Sequence, residues 1–360
     1  MSIKRNNSID VLRIVASFFV ICIHITFFCE DYIRPVIRLA VPAFFMISGY
    51  FYANVSFKTK KKRIKNIFFL TLTSNLAYFV FDIIMAISKS DVEGFFLESF
   101  TTEKWINFLI FNESMFSVHL WYLGALLYCM LIDLGVTKLR IKNGIIVFSI
   151  VVLLIFNLVL GKYSLLVFNR PFFEYTVRNF IFTGLPYFYI GKLLYSFDIS
   201  KIKLGKPVFV LFFVFFCITL YTEIFIIHTL DVNAPSEQYI SSIFIALTIF
   251  LFVLKYPMPY PEGFGKALAS AGEKYSLAIY IIHPMIIKTI AVYSSEWTGF
   301  FTDVYTYCGP VFIFVLALLF SVVYYRIKSI IMIKTLRPFK AQKCVKESEY
   351  YGVQKRSMGF

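Results

Sequence analysis

The chain has 360 residues, 59% of them hydrophobic and 20% aromatic, and a mean hydropathy of +0.74. This composition excludes a soluble globule and predicts an all-α polytopic membrane protein, because helices keep their backbone hydrogen bonds to themselves in lipid. The formal net charge of +15 would suit a nucleic-acid binder, but the basic residues gather in alternate loops between apolar runs, which points to the lipid bilayer instead.

The first apolar run, Ile9 to Cys29, follows a short polar leader, Ser2 to Ser8, with no small-residue cleavage site after it, and reads as a retained span rather than a signal peptide. It carries Asp10, Arg13 and His24. Eleven steps of 100° return His24 to the face of Arg13, about 16 Å further along the helix, with Asp10 and Ser17 near the same stripe. Ionisable groups within a span face a bundle interior or a wet cavity, which makes these residues functional candidates. The alternatives are an interfacial Asp10–Arg13 pair reaching the headgroups and a neutral His24 bonded to a neighbouring helix.

A polar link with Glu30, Asp31 and Arg34 leads to a second span, Ile37 to Tyr52, in which Ser48 and Gly49 let another helix approach closely. The loop FKTKKKRIK, with Lys58, Lys60, Lys61, Lys62, Arg63 and Lys65, places itself and the N-terminus in the cytoplasm. A third span, Ile64 to Ile87, ends in an outer acidic loop with Asp91, Glu93, Glu98, Glu103 and Glu113; a fourth, Ser117 to Leu134, opens with SVHLWYLGALLY. The fifth, Gly144 to Leu160, and the sixth, Asn179 to Leu194, flank a loop with Arg170, Pro171 and Glu174. The seventh to tenth are Pro207 to Ile227, Tyr239 to Leu254, Tyr275 to Tyr293 and Gly309 to Tyr325. Between the eighth and ninth, KYPMPYPEGFGKALASAGEKY reads as an irregular cytoplasmic loop. The result is about ten spans with both termini cytoplasmic: a membrane domain over residues 1–335 and a basic tail over 336–360, with IKSIIMIKTL as an interfacial helix.

The polar groups of the spans define a candidate site. Arg38, His119 and Arg178 each begin an inward-running span and so lie near the outer surface with Trp121, while His283 lies near the middle of the ninth, before Pro284. One economical picture is a cavity through the bundle. Its basic inner mouth, at Arg13 and the Lys60 to Lys65 run, receives a phosphorylated donor, and His24 meets an acceptor entering from outside. Histidine suits proton transfer between a hydroxyl and a leaving thiol. Blander readings stand beside this one: the lysine run as an orientation signal, Trp121 and Tyr122 as an interfacial aromatic belt, and Glu223 and His228 as interhelical hydrogen-bonding groups. The six cysteines form no CxxC pair, so neither a metal site nor a disulfide framework is indicated.

Taken together, these residues resemble the acyltransferase family three of integral membrane proteins. Arg13 and His24, with ten residues between them and preceded by Ile9, Asp10 and Leu12, are similar to the family's first-helix motif; Pro42, Phe44, Phe45, Ser48 and Gly49 to its PxFFxxSG segment; HLWYL and IYIIHP to later segments. The RxxR element is matched conservatively by Lys60 and Arg63, and lysine keeps the charge but not the planar fork. The resemblance implies a ten-helix bacterial inner-membrane O-acyltransferase that passes an acyl group, usually acetyl from cytoplasmic acetyl-CoA, to a hydroxyl of a cell-surface or secreted carbohydrate. It implies His24 as catalytic base and Arg13 with Lys60 and Arg63 at the donor; beside it, the residues themselves suggest that Asp10 fixes Arg13. Arg38, His119, Trp121, Arg178 and His283 are the candidate acceptor contacts. No soluble hydrolase-like domain follows the spans as in some members, so the bundle, or a partner, is expected to handle the acceptor. Two other readings are carried: an amino-acid (serine) transporter similar to the membrane half of vancomycin-resistance serine racemases, and a non-catalytic partner in polysaccharide assembly.

Overall fold

The computed structural model describes residues 6–236, 238–259, 262–294 and 298–357, with side chains, apart from that of Tyr293, through residue 330. Among the described residues there is no strand. The first helices are α1 (Asn7–Ile23), α2 (Glu30–Ile37), α3 (Ala40–Ala53), α4 (Phe57–Ser88), α5 (Val92–Ser99), α6 (Thr102–Ile110) and α7 (Trp121–Lys138). They are followed by α8 (Asn143–Leu160), α9 (Ser164–Phe168), α10 (Leu185–Ser196), α11 (Lys206–Thr229), α12 (Ile240–Lys255), α13 (Gly263–Ser294) and α14 (Phe300–Ser357). Seven helical runs among the described residues are long and apolar enough to cross a membrane: Glu30–Ala53, Phe57–Ser88, Val118–Lys138, Asn143–Leu160, Lys206–Thr229, Gly263–Val292 and Phe300–Ile330.

Several boundaries differ from the sequence reading, the last span among them, which starts at Phe300 rather than Gly309. The first span ends at His24, not Cys29: the backbone N–H of His24 turns back to the Ile21 carbonyl at 3.0 Å, and Cys29 then adopts a left-handed φ of 67°. The polar link that follows is helical (α2), supported by an ion pair between Glu30 and Arg34 one turn apart. The lysine-rich run forms the first turns of α4, where the Ser56 hydroxyl caps the Thr59 N–H, rather than a loop. α13 starts at Gly263, because Ala, Lys and Glu favour a helix over FGKALASAGEKY once the prolines are passed. The acidic loop after α4 holds α5 and α6, and the tail from 336, with most of the expected interfacial helix, lies beyond the described side chains.

Burial separates the helices into a centre and a rim. α3, α7 and α10 supply much of the core, including Phe45, Met46, Leu123, Tyr187 and Phe188. On α4 the exposed residues Phe68, Leu72, Leu76, Val80, Ile84 and Ile87 recur at roughly helical spacing, and Val210, Val214, Ile218, Tyr221 and Phe225 do the same on α11. Apolar stripes of this length left uncovered suit lipid rather than water.

α3 and α10 meet at their glycines. A methyl at Gly49 would stand 1.8 Å from the Phe188 carbonyl oxygen, and one at Gly191 would stand 1.9 Å from that of Met46, so each helix gives a glycine to the other's backbone. Gly191→Ala must therefore separate the helices, at a cost of about 2 kcal/mol or more. We expect a lower thermal midpoint in detergent, and an unchanged midpoint would contradict the contact.

Candidate active site

Three of the four histidines converge. His24 ends α1, His119 lies in the 3₁₀ turn Val118–Leu120 that leads into α7, and His283 faces inward from α13. Ring centroids are 5.4 Å apart for His24 and His283, 5.4 Å for His119 and His283, and 6.4 Å for His24 and His119. His119 and His283 are buried, whereas His24 is exposed.

The partners of the buried pair decide what it offers. His283 Nδ1 lies 3.1 Å from the Ile279 carbonyl oxygen, and since a carbonyl only accepts, this nitrogen carries the proton and Nε2 presents a lone pair. His119 Nδ1 pairs with Ser117 Oγ at 2.8 Å. Neither Nε2 has a hydrogen-bond partner among the described residues. Buried polar atoms are almost always paired, and because His119 lines a cavity its unsatisfied nitrogen marks a place for a ligand's polar group. Two tyrosines brace the cluster: the Tyr280 hydroxyl donates to the His119 carbonyl, and the Tyr78 hydroxyl donates to the Ile281 carbonyl at 2.7 Å, with its ring 5.1 Å from that of His119.

A narrow cavity, with about 90 Å³ of room for water-sized groups and partly open to solvent, is lined by His24, His119, Tyr122 and Tyr280 together with Arg38, Glu174, Arg178 and Gln238. Trp121 also lines it, with its ring 5.9 Å from Phe45. Tyr122, whose hydroxyl is 3.0 Å from Ser48 Oγ, faces the same space. Arg178 forms ion pairs with Glu174 at 2.9 Å and Glu113 at 3.4 Å. The structure thus gathers His24, Arg38, His119, Trp121 and Arg178 at one cavity and sets His283 directly behind His24.

The remaining candidates lie towards the other end of α1 and do not line this cavity. Asp10 Oδ1 accepts from Arg13 Nη1 at 3.0 Å, and the Arg13 guanidinium lies 4.8 Å over the Phe51 ring. Arg63 Nη1 donates to the Phe51 carbonyl at 2.7 Å, so two arginines from different helices meet at one residue. Lys60 turns inward instead: its Nζ donates to Asp133 Oδ2 at 2.7 Å and to Thr137 Oγ1 at 3.0 Å, and the residue is only 4% exposed. Ser17 donates to the Arg13 carbonyl at 2.9 Å, a packing bond within α1.

Asp133, Lys192, Tyr280 and Glu174 were not singled out from the sequence as site or core partners. Asp133 carried a readable signal, since it is a lone carboxylate in an otherwise apolar span, and such a group needs a cation. Lys192 supplies one from α10 alongside Lys60, and Lys288 of α13 answers Asp82 of α4 at 2.8 Å in the same way. Glu223 accepts from the backbone N–H groups of Ile240 and Ser241 at 2.9 and 3.1 Å, which caps α12.

A helical bundle with lipid-suited flanks and histidines at a cavity defines the class: a multi-pass membrane protein with a polar site among its helices. A family model described as an acyltransferase domain matches residues 6–326, and the chain belongs to acyltransferase family 3. It is also similar to an amino-acid racemase of Enterococcus faecalis, at 25% identity over 311 residues. That match covers 79% of this chain and 42% of the racemase, so the chain spans less than half the length of that relative. No solved structure matches the chain.

Proposed function

We propose that the protein is a membrane O-acyltransferase of a bacterial cytoplasmic membrane, moving an acyl group, acetyl foremost, from cytoplasmic acyl-CoA to a hydroxyl of a cell-surface or secreted carbohydrate. The observation that carries this reading is the meeting of His24 and His119 at a cavity, with His283 packed against both rings, in a chain of an acyltransferase family. The shorter apolar helices α1, α10 and α12 bring the crossings to ten, with both termini in the cytoplasm, a catalytic bundle over residues 1–335 and a basic tail over 336–360.

In the proposed reaction His24 takes the proton of the acceptor hydroxyl as its oxygen attacks the thioester carbonyl. The C–O bond forms, the C–S bond breaks, and the proton returns from the imidazole to the sulfur of CoA. The His283 ring lies 5.4 Å from that of His24, centroid to centroid, and in this reading its Nε2 accepts a hydrogen bond from the protonated His24 ring. Arg13 and Arg63, held around Phe51, supply the charge for the donor's phosphates, while Lys60 is committed to Asp133 and holds α4 in place. The acyl arm then has to cover about 16 Å of α1 to reach His24. Purified protein given radiolabelled acetyl-CoA and a panel of glycans is expected to bind the donor and release free CoA with at least one of them. Failure to bind it at all would overturn the proposal.

The racemase similarity favours a second reading, a membrane module handling an amino acid such as serine. It predicts serine uptake into vesicles that is independent of acetyl-CoA, which the first reading does not.

A further inference from the structure

α8 is apolar from Ile145 to Leu160 except at Ser149 and Asn157, and Asn157 is only 2% exposed. Its Nδ2 donates to the Phe182 carbonyl and to Thr183 Oγ1, both at 3.1 Å, in the π-helical turn Phe180–Gly184 that leads into α10. It also lies 3.4 Å from the Val177 carbonyl. Carbonyls only accept, and the Thr183 hydroxyl gives its proton to the Val177 carbonyl at 2.7 Å, so the amide nitrogen belongs on this side and Oδ1 on the other. That oxygen is buried and has no hydrogen-bond partner among the described residues, and Asn157 lines the cavity that His24 and His119 share.

Arg178 lines the same cavity, joined to Asn157 through the Val177 carbonyl, which belongs to the peptide between Val177 and Arg178. Its Nη1 and Nη2 pair with Glu174 and Glu113, which leaves Nε–H, also buried and without a partner among the described residues. One lining therefore holds an oxygen that needs a donor and an N–H that needs an acceptor. Buried groups of this kind are costly to leave unpaired, and a ligand group that both donates and accepts answers both. A hydroxyl does so, and so does the amide of an N-acetylated sugar, whereas a carboxylate only accepts and an ammonium only donates. A ring position carrying hydrogen alone leaves both protein groups unpaired, which is how such a site rejects a ligand.

We infer that Asn157 is a specificity-determining contact for the acceptor: its Oδ1 accepts a hydrogen bond from a neutral hydroxyl or N-acetyl amide of the sugar, and Arg178 Nε–H donates to the oxygen of that same group. This rests on the acyltransferase reading for the ligand's role as acceptor, but the discrimination is a property of binding and can be measured apart from turnover.

The test uses the full chain in neutral detergent with methyl glucoside, its monodeoxy analogues and methyl N-acetylglucosaminide, measured by calorimetric binding and by release of CoA from acetyl-CoA. The expected result is that loss of one hydroxyl, or of the acetamido group, weakens binding about tenfold or more. The deoxy and acetamido arms tell the two sources of the group apart. Asn157→Leu, close in volume, is expected to bring that ratio towards one. Thr183→Val removes an anchor of the amide but keeps Oδ1, so it should lower the thermal midpoint and leave the ratio in place. Asn157→Ser withdraws the oxygen yet keeps a hydroxyl for the neighbouring carbonyls, and reads the same ratio should the leucine variant fail to fold. Equal affinity of the wild type for all the sugars, no binding of any, or a ratio unchanged in the Asn157 variants overturns the inference. Discrimination lost with Asn157 but with no CoA release from any sugar would uphold the contact and count against acyl transfer, so the two failures are distinct.

Discussion

Replacing His24 with alanine is expected to lower acyl transfer by about 10²- to 10⁴-fold while leaving acetyl-CoA binding and the thermal midpoint near their wild-type values. The stability expectation follows from where the residue sits. His24 is exposed at the end of α1, and the capping bond there comes from its backbone N–H to Ile21, which alanine retains. Truncation therefore removes an imidazole from a cavity wall and leaves no void in a packed core. His283→Phe is the informative companion. It keeps the ring volume at a fully buried position but loses both the Nδ1–H bond to Ile279 and the Nε2 lone pair, so kcat should fall with little change in KM for acetyl-CoA. Full activity in His24→Ala would remove the histidine from the chemistry, and a large KM rise with unchanged kcat in His283→Phe would make that residue a binding group alone.

Much of this site was legible in the sequence because hydropathy and spacing report on single helices. The placing of Arg13 and His24 on one face needs only the helical repeat, and Gly49 announced a close helix crossing before its partner was known. The meeting of His24, His119 and His283 was not legible, because it depends on how α1, α7 and α13 cross; sequence reasoning set His119 at the outer surface and His283 at mid-span. The same limit hid the fate of Lys60. Its place in a run of lysines fits an orientation signal, yet the helix turns this one side chain away from Lys58, Lys61 and Lys62 and into the bundle towards a carboxylate 73 residues away. Pairing across helices is a tertiary fact, although the presence of Asp82, Asp133, Lys192 and Lys288 within apolar runs does predict that such pairs must exist.

The buried pair yields the second large effect. Asp133 is fully buried between Lys60 and Lys192, one carboxylate for two ammonium groups, with the Tyr52 ring 5.1 Å from Lys60 Nζ. Asp133→Leu strands both cations and is expected to cost about 3–5 kcal/mol, read as a marked fall in the thermal midpoint in detergent. Lys60→Met should cost less, since Lys192 still answers the carboxylate. If the two share one interaction, the double variant Asp133→Leu/Lys60→Met should be more stable than Asp133→Leu alone, whereas simple addition of the two losses would show that they do not couple. The consequence for function follows from spacing. Lys60 lies one turn before Arg63, which grips the Phe51 carbonyl beneath the Arg13 guanidinium. Losing the anchor frees the start of α4 and with it the Arg63 contact, so Lys60→Met should raise KM for acetyl-CoA by about tenfold with kcat nearly kept. A fall in kcat with KM unchanged would instead tie Asp133 and Lys60 to the histidine end of the bundle.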